Sequence, residues 1–248
     1  MRHSSLQSIS HRPWPLPRAP WVMAQTWSNL LFAHWQVPVA QLRELIPPEL
    51  EIDTFEGSAW IGVVPFELRI RPRFLPVIPR LAAFPEINVR TYVKANGKAG
   101  VWFFSLDATS AVAVRAARWG FNLPYFDARM TCTETDGAIH YDSHRTGTNT
   151  VADFKGLYEP TSDPFFAQPD SLDAWLTERY CLYATSKSGT ISRTEVHHAQ
   201  WPLQHARCQI ELNTMTAPVG LDLVGEPLLH FAKRIEVVNW MPGKVQSK

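Results

Sequence analysis

The sequence predicts an α+β domain: a large, curved antiparallel sheet that closes into a barrel around a central cavity, with about three peripheral helices. Three observations carry that expectation. Four turn dipeptides, Glu56-Gly57, Asn96-Gly97, Asp136-Gly137 and Ser188-Gly189, each separate segments rich in Val, Ile, Thr, Tyr, Phe and Trp. That is the pattern of β-hairpins, whose tight type I′ turns need positive φ at both central residues, and hairpins in series build antiparallel sheet. Helical segments are few and interspersed among the strands. Ten Trp and thirteen Phe are large rigid side chains that fill a wide interior or line a pocket, and a sheet of about ten strands curls or closes to make one.

Taken in order, residues 1–11 are polar and read as a disordered tail. Residues 12–243 read as one domain, and 244–248 as a C-terminal tail. The stretch Arg12 to Pro20 carries four prolines and is expected to run extended, pinned to the body by Trp14 and Trp21. A first helix is expected over 37–45, with Val39, Leu42, Leu45 and Ile46 on one face and Pro47-Pro48 as its stop. A second is expected over 109–119, started by Thr109 or Ser110 and ended at Gly120, with Arg115 and Arg118 in its last turns. A third is expected over 171–179, capped by Asp170, with Leu172, Trp175 and Leu176 as its apolar stripe. Thr146 to Asp170 is the least regular stretch and reads as a long loop near the cavity mouth.

Composition excludes several functions. A net charge of +1 with no basic run gives no field to attract nucleic acid. No apolar run reaches the roughly 18 residues of a membrane span, and the first twenty residues lack the apolar stretch of a signal peptide. Three cysteines, an odd number and widely spaced, form no zinc or redox motif and fit a reducing compartment. The expectation is a cytoplasmic protein. Walker, GxGxxG, GxSxG and HExxH patterns are missing, so no cofactor and no metal are expected.

Three clusters could carry chemistry. In AFPEINVRTYV, residues 83–93, strand alternation puts Glu86, Asn88, Arg90 and Tyr92 on one face and Ile87, Val89, Thr91 and Val93 on the other. The polar face is either a solvated surface with a Glu–Arg pair, or a cavity wall where Arg90 clamps an anion and Glu86 moves a proton. Arg115 and Arg118, followed by GFNLPYFDARM with Tyr125, either cap a helix or send an arginine into the cavity. In TEVHHAQWPLQHARC, His197 and His198 diverge on a strand and cannot chelate one metal, so they read as structural. His34, in LLFAHWQVP, reads as buried among aromatic residues and as a candidate proton carrier.

The blocks RPWPLPRAPWVMAQTWSNLLFAHWQVP, LIPPELEIDTFEGSAWIGVVPFEL, FPEINVRTYV, GVWFFSLDATSAVAV and LPYFDARM resemble, in order, the YqjF-like family, domain of unknown function 2071. The resemblance spans about Arg12 to Trp240. It implies the acetoacetate decarboxylase-like superfamily, a curved barrel around a buried site. It also implies that Glu86 is the counterpart of a catalytic carboxylate and that NLPYF is the counterpart of the segment bearing the Schiff-base lysine. The residue after Pro124 here is Tyr125, and a phenol forms no imine. Among the other lysines, Lys94 and Lys98 flank a turn and are expected in solvent. Lys233, in HFAKRIEVVNW, is the one in a strand-like segment near the aromatic core.

Three functions stay open on these residues. The first is a barrel that binds a small organic acid or carbonyl compound through Arg90, Glu86, Tyr125, Arg118, Asn88 and Tyr92, without Schiff-base chemistry. The second is a lyase, hydratase or isomerase using Glu86 or His34 for proton transfer with Tyr125 or Arg90 at the developing anion. The third is a structural or interaction protein whose cavity is packed shut. A homo-oligomer formed through edge strands is compatible with each.

Overall fold

The computed structural model describes residues 3–74, 83–109, 120–186 and 188–245. Thirteen strands and two short helices make up its regular structure among the described residues. They run β1 Met23–Val37, α1 Val39–Arg43, β2 Glu51–Ile52, β3 Ala59–Pro72, β4 Ala83–Ala95, β5 Lys98–Ala108, β6 Tyr125–Thr135, β7 Ala138–Arg145, β8 Asp153–Pro160, α2 Leu172–Thr177, β9 Cys181–Thr185, β10 Ile191–His198, β11 Gln204–Asn213, β12 Leu228–Asn239 and β13 Gly243–Lys244.

Nine strands close a mixed barrel: β5, β6, β7, β8, β11, β12, β1, β3 and β4, which pairs back to β5. The expected antiparallel barrel is therefore present, with a qualification at β5. That strand pairs in parallel with β6 over 106–108 and with β9 over 101–102. Strand β12 likewise changes partner, pairing with β11 at 230–231 and with β10 at 237–239. Strands β9 and β10 thus close a second circuit over the wall β12-β1-β3-β4-β5.

The centre of that wall is buried on both faces. Ala59–Phe66 and Glu86–Val93 are uninterrupted runs of buried residues, which is what a sheet covered on both sides requires. One face packs Leu31, Ile61, Val63, Ile87 and Val89 against Ile139, Tyr141, Phe154 and Tyr158. The other packs Leu30, Phe32, Val64 and Phe66 against Tyr125, Val196, Trp201 and Leu203, and this second face holds the cavity. Asn29, with φ 51, interrupts the β1–β3 register between Ser28 and Ala33 and so bends the wall. The Tyr158 hydroxyl donates to the carbonyl freed there, at 2.8 Å.

Two of the four turn dipeptides make two-residue hairpins. Asn96-Gly97 (φ 51 and 73) joins Ala95 to Lys98, and Asp136-Gly137 (φ 52 and 83) joins Thr135 to Ala138. Glu56-Gly57 also turns tightly, closed by the Phe55–Ser58 bridge, but β2 pairs with β4 and not with β3. Around Gly189 the connection spans 186–190, since Thr185 opposes Ile191.

Several local expectations are corrected. The first helix is cut to five residues starting after Pro38. The second falls on residues 110–119, outside the described residues, and Arg115 and Arg118 with it. The third is capped by Ser171, whose Oγ accepts from the Ala174 N–H, while Asp170 lies outside at φ 62. The stretch 146–170 contains strand β8, whose Phe154, Gly156 and Tyr158 alternate into the core. A glycine at the middle of that short run weakens its strand signal.

The polar N-terminal residues are docked on the body. Ser4–Gln7 form a 3-10 turn, His197 Nε2 donates to the Ser5 carbonyl at 3.0 Å, and His11 Nε2 to the His198 carbonyl at 2.9 Å. Buried Arg12 pairs with Glu195, which also accepts from Trp14 Nε1 at 2.7 Å. Trp21 packs with Ala24, Val238 and Trp240. Among the described residues no helix is long and apolar enough to cross a membrane.

Closure at β9 depends on a missing side chain. A Cβ at Gly100 would lie 2.6 Å from Cys181 Sγ and 2.7 Å from the Cys181 carbonyl oxygen. Gly100→Ala is expected to lower stability by about 1–3 kcal/mol in urea unfolding, whereas a β5–β9 contact of no consequence would leave the midpoint unchanged.

Candidate functional site

The cavity has a volume of about 100 Å³ and is lined by side chains from β1, β3, β4, β5, β6, β9, β10 and β12. Trp27, Phe66, Leu68 and Phe103 supply apolar walls. Strand β4 supplies Phe84 and the polar Glu86, Asn88 and Arg90, which share the cavity face as alternation on a strand requires, and Gln25, Tyr125, Thr194 and Asn239 add polar lining from other strands. The β4–β5 register shifts between Val89 and Arg90, leaving Phe104 as the extra residue on β5.

Glu86 is 3 % exposed, and the Tyr125 hydroxyl donates to its Oε2 at 2.9 Å. Burial pushes the Glu86 carboxyl up to about 8; the Tyr125 hydrogen bond opposes that rise and the nearby Asp107 charge adds to it. Glu86 is therefore a mostly neutral acid at pH 7. Burial and Glu86 also hold Tyr125 well above its usual range, so it remains a phenol and a donor.

Arg90 is 7 % exposed, and its Nε and Nη2 are buried without hydrogen-bond partners, as is the Oδ1 of Asn88. Its guanidinium carbon lies 5.0 Å from the centre of the Phe32 ring and 5.8 Å from that of Tyr92. The buried ion pairs of the described residues are Arg12–Glu195, Asp53 with Arg179 and Lys94, and Arg145–Asp107; neither Glu86 nor Arg90 belongs to them. A Cβ at Gly62 would meet His34 Cδ2 at 2.9 Å and Arg90 Cγ at 3.4 Å, so a glycine there leaves room for both.

His34 and Tyr92, expected at the site, lie behind it. Neither lines the cavity. The Tyr92 hydroxyl donates to the Leu176 carbonyl at 2.8 Å and sits 2.6 Å from His34 Nε2. Having given away its own proton, it must accept from His34 Nε2–H, which fixes the tautomer. Burial, reinforced by Arg90, His230 and Arg179, holds His34 well below its usual range. It is a neutral ring locked in the wall.

Among the described residues no lysine lines the cavity. Lys233 is exposed and pairs with Glu134 at 2.7 Å. Lys94 and Lys98 do not simply extend into solvent: they pair with Asp53 at 2.6 Å and Glu195 at 3.0 Å. His197 and His198 diverge as expected, and no group of three His, Cys, Asp or Glu among the described residues could hold a metal. Sequence reasoning missed Gly62 and the Asp107–Arg145 pair, and it anticipated aromatic lining without naming Trp27, Phe66 or Phe103. Each is defined by strands distant in sequence, and no local pattern marks them.

Residues 24–236 match the model of the DUF2071 family, described as an uncharacterized conserved protein. Over 227 residues the chain is 48% identical to the uncharacterized protein YqjF of Bacillus subtilis (strain 168), covering 91% of this chain and 93% of that one.

The chain belongs to the DUF2071 family.

Solved structures of acetoacetate decarboxylase-like proteins share the fold of this family member. The enduracididine biosynthesis enzyme MppR, complexed with the condensation product of pyruvate and imidazole 4-carboxaldehyde, superposes with a TM-score of 0.66 at 11% identity, covering 92% of this chain and 90% of that one. Acetoacetate decarboxylase from Legionella pneumophila gives 0.61 at 10% identity, covering 100% and 98%. An acetoacetate decarboxylase-like enzyme from Sphingomonas wittichii RW1 gives 0.65 at 11%, covering 96% and 98%. At such identities the likeness speaks for the fold.

Glu86 makes the stability of this DUF2071 protein pH-dependent. Its folded pKa lies above the unfolded value of 4.5, so the folded state binds more protons between about pH 4.5 and 8 and loses stability as pH rises through that window. The cost at pH 8 and above is on the order of 4 kcal/mol. Glu86→Gln is expected to match the wild type near pH 5 and to exceed its stability increasingly toward pH 8; parallel denaturation curves at all pH values would rule this out.

Proposed function

We propose that this protein binds a small organic acid or carbonyl compound in the cavity beside Glu86, without Schiff-base chemistry. The observation that carries this reading is Arg90. A guanidinium cannot shed its proton, and burying one without a counter-ion is costly. Arg90 is buried with two nitrogens unpartnered, and no carboxylate among the described residues is paired to it. A ligand carboxylate would satisfy those donors in the forked geometry that arginine offers. Asn88 and the Tyr125–Glu86 pair add polar partners for a carbonyl or hydroxyl oxygen.

Size limits the ligand. A cavity of about 150 Å³ holds a benzene, so the 100 Å³ here suits roughly four to six heavy atoms. MppR, of the same fold, has been complexed with pyruvate, which is a molecule of that size and chemistry. The cavity also weighs against an interior filled by its own aromatic residues.

A second reading, an enzyme of the lyase, hydratase or isomerase type, is favoured by one contact. A neutral Glu86 hydrogen-bonded to Tyr125 is poised to give a proton to an enolate-like carbon or oxygen, with Arg90 holding the anion. The sequence expectation of Tyr125 in place of a Schiff-base lysine supports both readings over decarboxylation through an imine.

A thermal-shift panel of short oxo and hydroxy acids is expected to raise Tm by several degrees at saturation. Arg90→Met should abolish that shift while leaving the protein folded. No shift for any acid at tens of millimolar would count decisively against binding. Borohydride treatment with acetoacetate should leave the intact mass unchanged; an adduct would restore the imine route.

A further inference from the structure

We infer that an anion enters this cavity only while Glu86 keeps its proton, so that Arg90 holds the anion and Glu86 sets the pH range in which it can bind. This rests on the binding reading above and adds its regulation.

The basis is a charge count over the described residues that line the cavity. Arg90 and Glu86 project from the same face of β4 into one cavity, four residues apart, about 13 Å along the strand. Neither is neutralised by an ion pair within the described residues, although the other buried charges are: Asp107 by Arg145 at 2.7 Å, Asp53 by Arg179 at 2.6 Å, and Glu195 by Arg12. With Glu86 protonated, the described residues that line the cavity carry one positive charge, that of Arg90, and one carboxylate brings it to zero. With Glu86 ionised, the cavity is already neutral, and the same carboxylate leaves it with an excess negative charge away from water, where repulsion is weakly screened.

Burial and the nearby Asp107 charge favour the protonated form of Glu86, against the opposing pull of the Tyr125 hydrogen bond. From β6, Tyr125 donates to Oε2. From β5, Ala108 is its register partner and Asp107, the adjacent residue, is an acid held by Arg145 of β7. From β3, the partner is Phe66. From β7, Tyr141 donates at 2.7 Å to the Glu86 backbone carbonyl, not to its carboxyl. On β4 itself the neighbours on that face are Phe84 and Asn88. No cation among these contacts touches the carboxylate, and burial raises its pKa to about 8, which places the transition in an accessible pH range.

The test uses pyruvate, acetate and lactate as probes, with Kd measured by calorimetry from pH 6 to 9.5. All three are fully ionised across that range, so any pH dependence belongs to the protein. Kd is expected to be flat below about pH 7 and to rise up to tenfold per pH unit above pH 8. Glu86→Gln, which mimics the protonated acid, should bind with a flat profile through pH 9.5. A measurement that needs no variant runs the wild type at pH 9 in two buffers of different ionisation enthalpy; uptake of close to one proton per anion bound is expected. Binding with a flat wild-type profile and no proton uptake would overturn this inference and leave the binding reading standing. A slope that persists in Glu86→Gln would also overturn it. Failure of all three probes at every pH would overturn the binding reading, and this inference with it.

Discussion

The burial of β12, β1, β3, β4 and β5 on both faces is the constraint from which the rest of this molecule follows. Where that wall is covered on both sides it cannot leave polar side chains to water. Each one must find a partner, lose its charge, or wait for a ligand. Most find partners. Arg145 reaches Asp107 in a bidentate pair at 2.7 Å for both bonds. Thr91 donates to the Trp60 carbonyl at 2.7 Å, and Tyr92 bridges His34 and the end of α2. Glu86 and Arg90 are treated differently: the first is neutralised by a proton, and the second keeps a charge that no described carboxylate answers, beside an open space.

The polar network behind the cavity positions Arg90. Tyr92 is fixed by its hydroxyl bonds and by Trp175, whose ring centre lies 4.8 Å away. Arg179 lies over both rings and ties them to Asp53. Phe32 and Tyr92 then flank the Arg90 guanidinium, and Gly62 keeps the space open. The parts that touch the cavity are few, but what orients them reaches from the loop at Asp53 to α2.

The candidate site was partly legible before any fold was known. Strand period alone put Glu86, Asn88 and Arg90 on one side of β4, and the three do share the cavity. The same period put Tyr92 with them, yet its ring lies beyond the cavity against Trp175. The family blocks pointed to Tyr125 as the residue across from Glu86, and the two are hydrogen-bonded. His34 was read as buried among aromatic residues, which it is, but its link to Tyr92 removes it from the cavity. The N-terminal residues were read from composition as a tail. Their order comes from carbonyls and carboxylates nearly two hundred residues away, and composition carries no trace of that.

Local chemistry was enough to decide the hairpins at Asn96-Gly97 and Asp136-Gly137, the alternation along β4 and the absence of a lysine after Pro124, because positive φ, a two-residue period and side-chain identity are properties of a few neighbouring residues. Tertiary structure alone decided which face of the wall is hollow, that burial favours the neutral acid at Glu86 and that Arg90 has no counter-ion among the described residues. Those depend on burial and on pairings between strands far apart in the chain, and a pKa or an unmet hydrogen bond exists only once the surrounding strands have excluded water.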